Sequence, residues 1–229
     1  MKKRVVCFIV SIAILSLFQL SVYAEGTVAT NEYYFKRNDK NLIALTFDDG
    51  PHPKYTYKIL DILRKYDIKA TFFIIGVNAK NYPEALKAIA DEGHEIGNHT
   101  FTHQCMKGKS YDQISRDVSA CSKLIYDLCG KTPSVFRPPG GIMADAEAAA
   151  SDLFENYKIV YWSIDTMDWD HHTPENIFNY VVKNIKAGDI ILMHDYIGYN
   201  TPTPRALELI IPKLLESGYE FVTVSELLS

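Results

Sequence analysis

From Leu42 onward the chain alternates short apolar runs with longer segments whose apolar residues recur every three or four positions. The first pattern predicts buried strands and the second amphipathic helices. Seven strands are predicted, at Leu42–Phe47, Ala70–Ile75, His94–Asn98, Ser134–Arg137, Ile159–Ile164, Ile190–His194 and Glu220–Val224. Between them lie helical repeats such as Ile59, Leu60, Ile62, Leu63 and Tyr66, or Ile114, Val118, Cys121, Ile125 and Leu128. Gly130, Gly188 and Gly218 fall where three of these helices should close in a left-handed cap. Strands alternating with helices imply parallel pairing through right-handed crossovers. The expected class is therefore α/β, as a distorted, closed or partly closed parallel (β/α) barrel of about seven strands, with a doubly wound open sheet as the alternative.

The first forty residues break this pattern. Met1-Lys2-Lys3-Arg4 is basic, Val5 to Leu20 is apolar, and Val22-Tyr23-Ala24 ends on a small residue. That layout predicts a signal peptide over 1–24, cleaved after Ala24, with a retained membrane anchor as the alternative because the apolar run lies near the lower length limit for a span. Residues 25–40 read as a polar linker and 41–229 as one globular catalytic domain. A secreted or cell-wall-associated protein follows, without stable membrane insertion once the leader is gone.

Charge narrows the partners. The net charge of -4 becomes -7 when Lys2, Lys3 and Arg4 leave with the leader. An acidic protein is a poor binder of nucleic acid or anionic membranes. Cys7 lies in the leader, and Cys105, Cys121 and Cys129 remain, an odd number. Cys121 and Cys129 fall on one predicted helix, too far apart to bridge, so all three are expected as buried free thiols.

The polar residues that break the apolar runs gather at strand ends. Asp48 and Asp49 follow the first strand, His99 and His103 the third, Arg137 ends the fourth, Asp168 follows the fifth and His194 ends the sixth. In a parallel barrel the carboxyl ends of the strands form one face, so five segments deliver ionisable groups to one rim. Adjacent side chains on an extended chain point oppositely, so Asp48 and Asp49 should do different jobs; an Asp-rich capping turn is the plainer reading of that segment alone. His99 and His103 are four residues apart, which on a helical turn puts both imidazoles on one side. With one carboxylate they make a set suited to Zn²⁺ with open positions, or to Fe(II); two surface histidines are the plainer alternative.

Five motifs in order, TFDDGP at Thr46, HTFTH at His99, FRPPGG at Phe136, DTMDW at Asp165 and LMH at Leu192, resemble the polysaccharide deacetylases of carbohydrate esterase family 4 over nearly the whole mature chain. The resemblance implies metal-dependent removal of N-acetyl groups from N-acetylglucosamine residues of a peptidoglycan or chitin-type polymer by a monomeric enzyme. It implies Asp48 as general base paired with Arg137, and Asp49, His99 and His103 as ligands of a divalent metal, Zn²⁺ first and Co²⁺ or another ion next. It further implies His194 as general acid held by Asp168, an oxyanion donor on the Gly140 backbone, and Trp169 and Leu192 lining the acetyl pocket. The family often carries tyrosine where this chain has Gly140, which bears on the substrate groove. An acetylxylan esterase and a non-catalytic carbohydrate-binding relative are the competing readings.

Other residues carry less. His52 and His94 are expected to be structural, and His171 and His172 to be solvated on a rim loop. Asp165 is a second candidate for the place given to Asp168. Tyr33, Tyr34, Tyr196 and Tyr199 are candidates for sugar contacts.

Overall fold

The computed structural model describes residues 31–143, 152–170, 172–197 and 201–229. The leader over 1–24, His171 and Tyr199 lie outside the described residues.

Strand periodicity builds the architecture outward from β2 (Leu42–Gly50). Ile43, Leu45 and Phe47 point one way, into the large cluster that packs the sheet against its helices. Ala44 points the other way and joins Phe73, Val135, Val160 and Ile190 in an interior cluster. Thr46 and Asp48 continue Ala44's face, so the same alternation that fills the interior carries a carboxylate to its mouth. β8 (Ile190–His194) repeats the arrangement: Ile191 and Met193 belong to the helix-side cluster, while Ile190 is interior. Leu192 and His194 share its face.

β3 (Thr71–Ile74), β4 (Glu95–Asn98) and β5 (Val135–Phe136) follow on one side of β2, then β6 (Lys158–Val160) and β1 (Glu32–Tyr33). On the other side come β8 and β7 (Ile164–Asp165), and β9 (Glu220–Phe221) pairs with β2 at Leu42 and Ile43. All these pairings are parallel, as the alternation of strands and helices predicts. The sheet curls into a distorted, incompletely closed (β/α) barrel.

Four features differ from expectation. The predicted strand Ile159–Ile164 is two strands: β6 pairs β5 while β7 pairs β8, so one run touches both arms of the curl. The break falls where Arg137 takes the carbonyl oxygens of Val160 and Tyr161 in place of a ladder partner, at 3.0 and 2.8 Å. The predicted strand Glu220–Val224 stops at Phe221 because Thr223 and Glu226 form a capping box that starts a new helix, Val224–Leu227. Gly188 does not cap a helix. It holds φ +90° where the backbone of Lys36 crosses so closely that any Cβ would overlap the Lys36 carbonyl. Glu32–Tyr33, inside the stretch read as a linker, pairs with β6.

The helices are α1 (Tyr55–Lys65), α2 (Gly76–Asn81), α3 (Pro83–Asp91), α4 (Tyr111–Cys129), α5 (Pro174–Asn184), α6 (Thr203–Glu216) and α7 (Val224–Leu227). α4 opens on a Ser110/Gln113 capping box and closes on Gly130 at φ 66°, the left-handed cap its sequence predicts. α7 packs Val224 and Leu227 into the interior cluster and so fills the end of the barrel away from Asp48. Among the described residues no helix is long and apolar enough to cross a membrane.

Candidate active site

The β2–β8 register sets Asp48 directly opposite His194. Asp48 is 4% exposed, and its Oδ1 accepts from Arg137 Nη1 at 2.7 Å. Arg137 is fully buried at the end of β5 and is held on every side. Its Nη1 also donates to Thr46 Oγ1 at 2.8 Å, Nε and Nη2 reach Val160 and Tyr161, and the guanidinium lies over the Phe73 ring at 4.1 Å. Burial pulls Arg137 below its ordinary pKa and Asp48 opposes the shift. A buried cation with four hydrogen bonds, one of them to the Asp48 carboxylate, is fixed in place and fixes that carboxylate in turn.

Asp49 departs from strand geometry, with φ at +70°. The left-handed turn undoes the strict alternation, so both acids face His99, whose Nε2 lies 3.6 Å from Asp48 Oδ2 and 3.5 Å from Asp49 Oδ1. His103 Nε2 lies 3.2 Å from the same Asp49 oxygen. The two histidines do not share a helical turn. Residues 99–103 form a loop in which Thr100 and His103 take positive φ, Gly76 and Val77 donate to the Thr100 and Phe101 carbonyls, and His103 N donates to Thr100 Oγ1. The loop, and not an i, i+4 helical face, brings the imidazoles within 4.9 Å of each other.

These three side chains fit a metal. Asp49, His99 and His103 each offer one ligand atom, and the three atoms lie within 4.8 Å of one another. The buried Asp49 Oδ1 has no hydrogen-bond partner among the described residues. His99 Nδ1 stands 2.7 Å from the Arg137 carbonyl, which accepts its proton and leaves Nε2 with a free lone pair aimed at Asp49. Burial keeps His99 below its ordinary pKa, with Asp48 and Asp49 opposing, so the ring is neutral as a ligand must be.

His194 is set for the opposite task. Its Nδ1 lies 2.7 Å from Asp168 Oδ1 and its backbone N donates to Asp168 Oδ2 at 2.8 Å. Thr203 Oγ1 donates to Oδ2 as well, at 2.7 Å, so the fully buried carboxylate cannot turn away. Burial alone would lower His194, but the Asp168 hydrogen bond and the charges of Asp168, Asp48 and Asp49 outweigh it and raise the imidazole to about 9.

Asp48, Asp49, His99, His103, Gly140, Trp162, Asp165, Trp169, Leu192 and His194 line a cavity of about 340 Å³. Every site residue expected from the sequence is therefore at or directly behind one cavity, Arg137 and Asp168 standing behind Asp48 and His194. Between the two candidates in the DTMDW segment the geometry decides for Asp168; Asp165 instead accepts from Met167 N and Trp169 Nε1 and holds the rim loop.

Comparison with known proteins shows the family. The polysaccharide deacetylase family model matches residues 35–155. A peptidoglycan-N-acetylglucosamine deacetylase of Bacillus cereus is 44% identical over 193 residues, covering 83% of this chain and 90% of that protein. The chain belongs to the polysaccharide deacetylase family. Among solved structures, a peptidoglycan N-acetylglucosamine deacetylase crystallised with an N-hydroxybenzamide ligand superposes with a TM-score of 0.83 at 36% identity, over 87% of this chain and 93% of that one. A pseudoenzyme of carbohydrate esterase family 4 from Bacillus anthracis gives 0.79 at 32%, over 86% and 69%. A family 4 acetyl xylan esterase from Clostridium thermocellum, in complex with a cobalt ion, gives 0.74 at 37%, over 82% and 90%.

Gly140 stands at φ +62°, and an added Cβ there would meet nothing within 4 Å. Trp162 lines the same cavity, and a Cβ on Gly141 would strike its ring. Sequence reading missed Trp162, an apolar residue inside the predicted strand Ile159–Ile164, and gave no role to Thr203 or to Thr46 at the head of TFDDGP, whose hydroxyls bind Asp168 and Arg137. It also missed Asp195, fully buried beside His194 and raised to about 7 by burial, with the Asp49 and Asp48 charges adding to the shift. Tyr33, Tyr34 and Tyr196 do not line the cavity; Tyr34 stacks on Tyr161 at 4.5 Å and Tyr196 on His52 at 4.1 Å. His94 is buried, as expected of a structural residue; Cys121 and Cys129 lie on α4, but of the three thiols expected to be buried only Cys121 is, Cys129 being half-buried and Cys105 exposed.

Proposed function

We propose that this chain hydrolyses N-acetyl groups from N-acetylglucosamine residues of peptidoglycan, releasing acetate, with a divalent ion, Zn²⁺ first, held by Asp49, His99 and His103. The observation that carries the reading is the Asp48–His194 register pair. It sets a carboxylate held by a buried guanidinium across from an imidazole held by a buried carboxylate, with the ligand group lining the same cavity.

An ion held by Asp49, His99 and His103 would supply Lewis-acid polarisation of the acetyl carbonyl and would acidify water. Asp48, held in place by Arg137, takes a proton from the attacking water. The Gly140 backbone N–H faces the oxygen on which negative charge develops. His194 enters as imidazolium, stabilised by Asp168, and gives its Nε2 proton to the departing amine, which cannot leave as an anion. Acetate and the amino sugar result. Trp169 and Leu192 border the acetyl group.

The chain acts outside the cytoplasm, in this reading, with residues 1–24 removed as a leader and 41–229 as the catalytic domain; relatives named for peptidoglycan support that place. An O-acetyl esterase would use the same groups with an easier leaving group, and the acetyl xylan esterase neighbour is the observation in its favour. A non-catalytic role, as in the pseudoenzyme neighbour, is disfavoured because base, acid, both supporting charges and the ligand group are all in place. Acetate release from peptidoglycan, N-acetylated chitooligosaccharides and acetylated xylan, each with Asp48→Asn as control, separates the three. Release from the first that Asp48→Asn abolishes supports the proposal, release from xylan alone replaces it with the esterase, and none from any substrate leaves the binding role.

A further inference from the structure

Asp195 follows His194 in sequence but takes no part in the chemistry above. It is fully buried, and its backbone N donates to the Asp48 carbonyl at 3.0 Å. Its Oδ2 accepts from Thr56 Oγ1, which itself accepts from His52 N at 2.7 Å. Its Oδ1 is buried with no partner among the described residues. The same carboxylate lies against Gly50, where any added Cβ would overlap Oδ2. Gly50 has no positive φ there, so it is the Asp195 side chain, not the backbone, that demands a glycine. Thus one carboxyl group ties together the end of β8, the start of α1 and the turn that carries Asp48 and Asp49. A carboxyl group with one free buried oxygen is costly to keep for packing alone.

We propose that Asp195 is a positioning residue: by bracing the Asp48–Gly50 turn from behind, it sets where Asp49 stands relative to His99 and His103 and where Asp48 stands relative to His194. The inference rests on the deacetylase reading for its effect on turnover, but its effect on metal affinity does not.

The test is zinc affinity of the chelator-stripped full chain, by competition with a chromophoric chelator, together with kcat and KM on an N-acetylated chitooligosaccharide. Asp195→Ala is expected to weaken zinc about 10- to 100-fold, as loss of a group that orients a ligand does. It should lower kcat at least about 10-fold with KM nearly unchanged, the mark of lost transition-state alignment. Asp195→Asn keeps an oxygen for Thr56 and should restore most of both. Gly50→Ala should damage the parent but cost little more in the Asp195→Ala background, because the atoms it would strike are gone. Thr56→Val, which removes the carboxyl's one side-chain partner, should weaken zinc several-fold even if Asp195→Ala does not fold. Parent-like affinity in Asp195→Ala or Thr56→Val, no rescue by Asn, or additive Gly50 and Asp195 effects would overturn the proposal. A parent that binds zinc but releases no acetate would instead refute the deacetylase reading and leave the affinity comparison standing.

Discussion

Replacing Asp168 with Asn removes one charge and keeps the shape, and its effect can be worked from the geometry. The asparagine can still accept from His194 N and Thr203 Oγ1, which now meet Asp168 at 2.8 and 2.7 Å. At His194 Nδ1, 2.7 Å away, an oxygen that accepts is exchanged for an amide that donates. His194 stands at about 9 against an ordinary 6.5, a gap of about 2.5 units or about 3 kcal/mol in favour of the imidazolium. Without Asp168, burial is opposed only by Asp48 and Asp49, whose charges a bound cation offsets. The imidazole should then fall to its ordinary value or below. For the loaded enzyme we expect the alkaline limb of kcat/KM for acetate release to move down by about 2.5 units or more, and kcat at about pH 8 to fall about 100-fold or more, the usual worth of a positioned acid. The folded state should respond with the same sign. A raised histidine stabilises below its unfolded pKa of 6.5 and loses that contribution as pH rises through about 9, so the variant should lack this alkaline loss in urea midpoints. An alkaline limb at the same pH in both proteins, or full turnover by the Asp168→Asn variant on the alkaline side of neutrality, would refute the reasoning.

Arg137→Lys should cost about 2–5 kcal/mol in chemical denaturation, since one ammonium cannot serve Asp48, Thr46, Val160 and Tyr161 together; a loss under about 1 kcal/mol would show the guanidinium is replaceable. His94 is buried with Nε2 unpartnered among the described residues, and burial lowers it to about 4. Its neutral form stabilises the fold above pH 6.5, and that contribution, about 3 kcal/mol at most, is lost as pH falls toward 4; His94→Gln should flatten this acid slope, and an unchanged slope would exclude His94 as its source. A thiol reagent should label exposed Cys105 first and leave Cys121, buried and pushed up to about 12, for unfolding to release. Equal labelling rates in the native protein would contradict the packing of α4.

The parallel strands, their order of use and the rim of ionisable residues were legible because each rests on a local rule. Period-two alternation marks Ile43 to Asp48 and Ile190 to His194, and chain order along a parallel sheet brings their ends to one face. The misjudged features depend on partners distant in sequence. Nothing local says that residues 158–165 will be split by a guanidinium arriving from β5, or that Gly188 is glycine because Lys36 crosses it. The two histidines do come together, but not by the local premise: a four-residue spacing suits a helix, whereas Thr100 and His103 at positive φ and contacts from Gly76, Val77 and Asp117 pin a loop that does it. Asp49 likewise breaks alternation through a left-handed backbone that Asp tolerates better than most residues. Asp195 was invisible because burial, not residue type, makes it unusual.

The central claim is that Asp49, His99 and His103 hold one ion beside a base that acts on water. Zinc titrated into chelator-stripped protein, with acetate release from peptidoglycan read at each step, tests it most directly. We predict release that rises from zero and breaks at one equivalent, with Asp48→Asn binding the same equivalent and releasing nothing. Release by the stripped protein, or full release by Asp48→Asn at one equivalent, would contradict the account.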